Sequence, residues 1–410
     1  MLDRLRLVRR FRALVRADPA GVRAGFVALL LSSGGDLLSG LTLGAITHTL
    51  DRLPGLLILV PAAIGMRGNI FGALGSRLGT AIHAGTFGLS RRRDTLVGQN
   101  LLAALTLSVA ISLVLAVLAR VISIGFGIDQ TISIGDFVVI SVVGGAVSSA
   151  VVMALTVGVA TVSARRGYDL DNVAGPIVTA AGDMVTLPSL FLATYLVGIR
   201  GVTSAIAGVC AVLAVVTLVV GLRSRMPILR RIVRESMPTL AIAGAIDIVA
   251  GLTIEKRISS FLALPALLVL VPPFLEDTGS LGAILSARVS TKLHLGTVEA
   301  GRGVLRAVAP DIVLIYVYSL PVFVFLGLSA NIAAAIAGLA GPGFFELMAV
   351  ALLAGLLATT ASVAMGCASA VAAYRLGLDP DTHGVPVVTS SLDLFGAFAL
   401  ILAVVVLGLA

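Results

Sequence analysis

Charge is scarce in this chain. Only 12% of its 410 residues are Asp, Glu, Lys or Arg, 58% are hydrophobic, and the mean hydropathy is +1.09. No soluble domain of this length hides so much apolar surface, so a soluble globular protein is excluded. Cysteine is scarcer still. Cys210 and Cys367 both fall inside apolar runs, which excludes a disulfide framework and a thiolate metal site. Alternating strand patterns are missing, so a transmembrane β-barrel does not fit. The opening MLDRLRLVRRFRALVRADPAG is basic and too polar for a cleaved signal, and reads as a cytoplasmic amphipathic lead-in.

What remains is one apolar run after another. Turn residues and charges divide the chain into eleven of them, at 24–50, 54–82, 98–122, 134–162, 174–198, 202–222, 238–254, 261–287, 308–328, 343–373 and 385–409. Each is near the ~20 residues that a membrane-spanning helix needs. The expected fold is an all-α polytopic membrane protein. The net charge of +8 does not point to nucleic acid, because the arginines sit at helix ends, beside anionic lipid; the partner is the bilayer. With the N-terminus inside, the inner connections hold Arg91–Arg93, Arg165, Arg166, Arg223, Arg225, Arg230, Arg231, Arg234, Lys292, Arg302, Arg306 and Arg375. Together with the N-terminal segment this makes 21 cations inside and 5 outside. That bias places the chain in the cell membrane with a cytoplasmic N-terminus and an outer C-terminus.

An internal repeat is legible. DLLSGLTL (36–43) returns as DIVAGLTI (247–254), SRLGTAIHAG (76–85) as ARVSTKLHLG (287–296), and GPIVTAAGD (175–183) as VPVVTSSLD (385–393). The offset is 211 residues for Asp36/Asp247, Arg77/Arg288 and His83/His294, and 210 for Pro176/Pro386 and Asp183/Asp393. Each half thus carries five spans in the same order. Two five-span units joined directly would be inverted, but the extra run at 202–222 crosses once more and restores a common orientation. The expected arrangement is 5+1+5, two parallel repeats about a pseudo-two-fold axis along the membrane normal. Its parts are a basic segment 1–23, a first repeat 24–198, a linking helix and basic cytoplasmic loop 199–235, and a second repeat 236–410.

Asp183 and Asp393 are the residues this arrangement singles out. Each lies about ten residues into the fifth span of its half, near mid-membrane at about 1.5 Å per residue. Thr179 and Thr389 precede them by one turn on the same helical face. An ionised carboxylate at that depth is costly unless hydrated, paired or neutralised. Two of them facing across an axis make an anionic ring for a hydrated cation; the plainer alternative is a protonated Asp bonded to a neighbouring helix. Oxygen-only ligands suit hard cations, and magnesium, which dehydrates reluctantly, suits a few carboxylates acting through retained water.

The second spans are unusual too. PAAIGMRGNIFGALGSR (61–77) and PPFLEDTGSLGAILSAR (272–288) begin with proline and are threaded with glycine, so they are readily broken or closely packed. Arg67 is unmatched in the second half; Glu276 and Asp277 are unmatched in the first. Either Arg67 neutralises one of those acids across the axis, or the acids add a cation site at the pore. Asp36 and Asp247, in the first spans ahead of Gly40 and Gly251, belong to the path or pair with arginines elsewhere. Arg77 and Arg288 are read as snorkelling anchors, His83 and His294 as helix-end residues, and Asp169, Asp171, Asp379 and Asp381 as N-caps of the fifth spans that also attract cations.

At these residues the chain resembles a known family. DNVAGPIVTAAGDMVTL (171–187) is similar to the fifth-span signature of the solute-carrier family 41 magnesium transporters, relatives of the bacterial MgtE channels. GNIFGALGSRLGTAIHAG and GSLGAILSARVSTKLHLG resemble the second-span signature. The resemblance runs through both halves, over residues 25 to 409, and implies a fused pseudo-dimer of the five-helix MgtE pore domain. It implies that Asp183 and Asp393 bind hydrated magnesium in a central pore. It carries the second-span signature onto Gly68 and Asn69 and onto Gly279 and Ser280, where Ser280 departs from the usual Asn and Glu276 and Asp277 replace uncharged residues. The short segment before the first span is not expected to form the soluble sensor domain that MgtE channels carry.

The expected function is transport of a divalent cation, with magnesium as the transported ion, manganese and other divalents fitting the same chemistry, and no cofactor. The pseudo-dimer lies within one chain, so a monomer suffices. Competing classes are a membrane-embedded magnesium-dependent lipid enzyme, against which the depth and isolation of the repeated Asps argue, and an ion-coupled carrier of another solute.

Overall fold

The computed structural model describes residues 2–88, 92–128, 130–166, 170–301, 303–377 and 385–409. Arg91, Arg302, Asp169, Asp379 and Asp381 lie outside the described residues, and so do the side chains of Arg4, Arg6, Asp171 and Pro176. The described residues form helices and no strands.

A lead-in helix α1 (Leu2–Ala17) meets α2 (Pro19–Ala45) at an N-cap: Asp18 Oδ1 accepts the Gly21 N–H at 2.8 Å and Pro19 occupies the first turn. A short α3 (Thr47–Arg52) leads into α4 (Leu56–His83), then α5 (Leu96–Gly125), capped by Thr95. Next comes α6 (Ile134–Arg166), where Ser133 and Asp136 bond each other's backbone N–H as a reciprocal cap. α7 (Leu170–Thr194) and α8 (Val202–Arg223) complete this stretch. The second series repeats it as α9 (Pro227–Glu255), α10 (Ile258–Ala263), α11 (Ala266–His294), α12 (Val304–Ala307), α13 (Ala309–Ile336), α14 (Phe344–Leu376) and α15 (Val385–Val406).

Ten helices among the described residues are long and apolar enough to cross a membrane, and α7 contributes a shorter apolar stretch, Val178–Thr194. The chain is an all-α polytopic membrane protein. α8 packs on α5, α6 and α9 and shows its remaining surface outward, with Val209 69% and Val212 64% exposed. In lipid such a surface needs no cover. Two expectations are corrected. The basic stretch after α8 is not a loop up to residue 235, because α9 begins at Pro227 and Arg230, Arg231 and Arg234 ride on its first turns. The second spans are not broken either: α4 runs through Pro61, and α11 through Pro272 and Pro273.

Those prolines and glycines serve close packing. The first helix of each half packs on the second span of the other half, α2 on α11 and α9 on α4, while keeping the fifth span of its own half, α7 and α15 respectively. Proline 273 has no N–H for the Val269 carbonyl one turn back, and Gly40 of α2 lies against that carbonyl. The equivalent contact sets Gly251 of α9 against Ile58 of α4, where a Cβ would stand 2.5 Å from the carbonyl oxygen. A glycine hydrogen in that place makes a Cα–H···O contact that no other residue allows. The end of α9 is tied to the start of α4 as well, since the Gly55 N–H donates to Glu255 Oε1 at 2.7 Å. Exchange of α2 and α9 therefore joins the two halves.

Candidate cation site

The close crossings bring the buried acids of both halves together. Asp36 of α2 lies beside Asp183 of α7, and Asp247 of α9 beside Asp393 of α15. Across the middle, Asp183 and Asp393 are within electrostatic reach of each other. Glu276 of α11 is the common neighbour, in reach of Asp36, Asp183, Asp247, Asp277 and Asp393. Asp277 points the other way along α11, where the Ser33 hydroxyl of α2 donates to its carboxylate, with the two oxygens at 2.7 and 2.9 Å.

Almost no donors face this group. Among the described residues no Lys or Arg pairs with any of these six carboxyls; what faces them is one another and a few hydroxyls, Ser32 at Asp36, Ser33 at Asp277 and Ser390 at Asp247. Clustered buried carboxylates with no cationic partner are expensive, and the ways to relieve them are a proton or a cation. No set of three acidic, His or Cys side chains among the described residues closes tightly enough to chelate a bare ion.

Arg67 does not supply the missing charge, which corrects one of the two readings of its role. It is fully buried between α4, α5 and α6, with Nε 3.3 Å from Ser148 Oγ, Nη2 3.1 Å from Ser112 Oγ and Nη1 donating to the Ala63 carbonyl at 3.4 Å. Glu276 matches Gly65, and Arg67 lies two residues beyond; two positions are about 200° around a helix, so the guanidinium turns away from the acids. The second half solves the same packing differently. Thr278, Phe323 and Gly355 stand where the first has Arg67, Ser112 and Gly145. The Phe323 ring covers Gly355 as the Arg67 guanidinium covers Gly145.

A cavity of about 890 Å³ reaches the acids from one end of the bundle. Its deep end is lined by Glu276 and Asp393, with Gly68, Asn69, Thr179, Ser280 and Thr389 around them. Asp393 keeps 9% of its surface exposed, whereas Asp183 keeps 1% and does not line the cavity. Asp36, Asp247 and Asp277 stand behind the lining as well. Gly279 backs onto Thr389 and Asp393, a Cβ there falling 3.7 Å from each. Glu276 and Asp393 also border a small space of about 10 Å³, inside a collar of Val60, Pro61, Ile64, Val271, Pro272 and Leu275. Sequence reasoning missed Gly65, whose Cβ position is 3.2 Å from Asp247 Oδ2 and 3.7 Å from Asp393 Oδ2. The 211-residue offset, which pairs it with Glu276, was the signal.

Helix-end roles for His83 and His294 agree with their places as last residues of α4 and α11. Arg288, near the end of α11, pairs with the buried Asp311 of α13 at 2.9 Å.

Comparison with known proteins gives this geometry its setting. The MgtE family, described as "Divalent cation transporter", matches the chain twice, over residues 60–193 and 271–403. The chain belongs to this family. Each match starts near the beginning of a second span and ends in a fifth span, so the first includes Asp183 and the second Glu276, Asp277 and Asp393, while Asp36 and Asp247 lie outside both. Similar proteins include Solute carrier family 41 member 2 of Xenopus laevis, 26% identical over 396 residues, 90% of this chain and 69% of that protein. Solute carrier family 41 member 3 of Rattus norvegicus is 27% identical over 408 residues, covering 92% of this chain and 85% of its own length. Solute carrier family 41 member 2 of Homo sapiens is 28% identical over 291 residues, 66% of this chain and 48% of its own. No solved structure matches.

Proposed function

We propose that this MgtE-family chain carries divalent cations, magnesium foremost, across the cell membrane along the interface of its two repeats. The observation that carries the reading is the closed end of the cavity: Glu276 and Asp393 face it, four further carboxyls lie behind, and among the described residues no Lys or Arg pairs with any of them. A dication is drawn into such a site because it relieves every acid at once. It keeps waters, which hydrogen-bond to the carboxylates and to the oxygens of Asn69, Thr179, Ser280 and Thr389. Asp183 and Asp36 form the matching reserve of the first repeat, and Asp247 that of the second.

The arrangement is five spans, a linking helix and five spans, with the arginine-bearing ends cytoplasmic, so the cavity opens to the cytoplasm. A space of about 10 Å³ in the collar is about one water, too little for a hydrated ion. Passage therefore requires Ile64 and Leu275 to separate, by rocking of the two repeats about the acids.

The test is uptake of magnesium into proteoliposomes, with competing divalent ions and with or without a sodium gradient. Asp183→Asn, Asp393→Asn and Glu276→Gln are each expected to reduce uptake to background while the proteins elute unchanged on size exclusion. Full transport by the Asp183→Asn/Asp393→Asn double variant would overturn the central site.

A further inference from the structure

The two repeats finish their arginine-bearing ends differently. In the second, α11 and α13 are tied by Asp311, fully buried, which accepts from Arg288 at 2.9 Å and from Lys292. The corresponding residues 211 positions earlier are Asn100, Arg77 and Ala81. The arginine is kept, the acid has become an amide, and the lysine a methyl group. Arg77 turns back to the Ala73 carbonyl at 3.0 Å and faces Glu235 of α9. The Asn100 amide nitrogen donates to the Leu96 carbonyl at 2.9 Å, while its Oδ1 is buried with no partner among the described residues.

The cavity leaves the pseudo-axis at this place. Arg77, Ala81 and Asn100 all line it; Arg288, Lys292 and Asp311 do not. The ionic tie shuts the gap between α11 and α13, and without it the gap between α4 and α5 stays open. We propose that ions move between the cavity and the arginine-bearing face through the first repeat alone, between α4, α5 and α9, where Asn100 stands in place of the acid that closes the second repeat. A carboxylate in that place would instead draw in Arg77 and plug the mouth, as Asp311 does with Arg288. The inference rests on reading the cavity as the ion path.

Thr80 and Thr291 allow a matched test. They occupy corresponding positions, both are exposed, and each hydroxyl donates to the carbonyl one turn back, at 3.1 and 2.9 Å. Thr80 lines the cavity and Thr291 does not. Full modification of Thr80→Cys by a bulky charged thiol reagent should abolish magnesium uptake, and the same modification of Thr291→Cys should leave it intact. Loss at both positions, or at neither, would overturn the proposal. A second arm needs no transport. Ala283→Cys, in the cavity wall on the second repeat, should react readily with a small water-soluble maleimide; in the Asn100→Asp/Ala81→Lys background, which rebuilds the tie in the first repeat, that reaction should be suppressed. Unchanged reactivity there would also overturn it. Absence of uptake in the parent protein sinks the transport reading and leaves the mouth to the reactivity arm; misfolding of the rebuilt pair leaves it to the threonine positions.

Discussion

Gly251→Ala measures how closely the exchanged helices approach. A Cβ on residue 251 would stand 2.5 Å from the Ile58 carbonyl oxygen and 2.9 Å from its carbon and Cα. Carbon meets a carbonyl oxygen at about 3.3 Å, so the contact is short by about 0.8 Å. The obstacle is backbone, which no rotamer change removes, and α9 is held on its other sides by α5 and α15. Overpacking of this kind costs about 1–3 kcal/mol, and the Cα–H···O contact that disappears is worth about 0.5–1 kcal/mol. Alanine returns about 0.5–1 kcal/mol over glycine inside a helix. The last two offset each other and leave a net loss of about 1–3 kcal/mol. Gly40→Ala, against the Val269 carbonyl, should cost at least as much. Gly158 of α6 has nothing within 4 Å of its Cβ position, so Gly158→Ala should be neutral or stabilising. The assay is the temperature at which half of the detergent-purified protein leaves its monodisperse size-exclusion peak. If Gly251→Ala and Gly40→Ala melt with Gly158→Ala, the close crossing is refuted.

Two further outcomes follow from the buried polar groups. Ser33→Ala removes the hydroxyl that donates to Asp277, and should destabilise by about 1–3 kcal/mol in the same melting assay. Arg67→Ala, which empties a filled site, should cost about 2–5 kcal/mol. By contrast Arg67→Thr/Ser112→Phe, which writes the second repeat's apolar packing into the first, should be nearly neutral, because both partners of a buried hydrogen bond are replaced together. A double variant less stable than Arg67→Ala would show that the two packings are not equivalent.

Much of this protein is legible without coordinates. A spanning helix announces itself by a local run of apolar residues, and the runs from 24–50 to 385–409 fall on observed helices. The second-span prolines and glycines read equally as breaks or as packing surfaces, and a single chain segment does not say what lies against it. Only the position of Val269 and Ile58 opposite Gly40 and Gly251 decides for packing. Arg67 against Glu276 failed for a related reason: both lie at similar depth, but the two-residue offset between Arg67 and the match of Glu276 turns their side chains to different sides.

The sequence by itself determined the membrane class, the duplication, and the acids worth watching, because burial in lipid, a repeat offset of 211 and the cost of a mid-membrane carboxylate are properties of residues in order. Tertiary structure alone decided the exchange of α2 and α9, the reach of Asp393 but not Asp183 into the cavity, and the mouth on one side. Each of these depends on contacts between segments far apart in the chain, and a repeat names two equivalent partners without choosing between them. The choice is made by packing: by which carbonyl a glycine can approach, and by whether Asp311 or Asn100 stands between two helices.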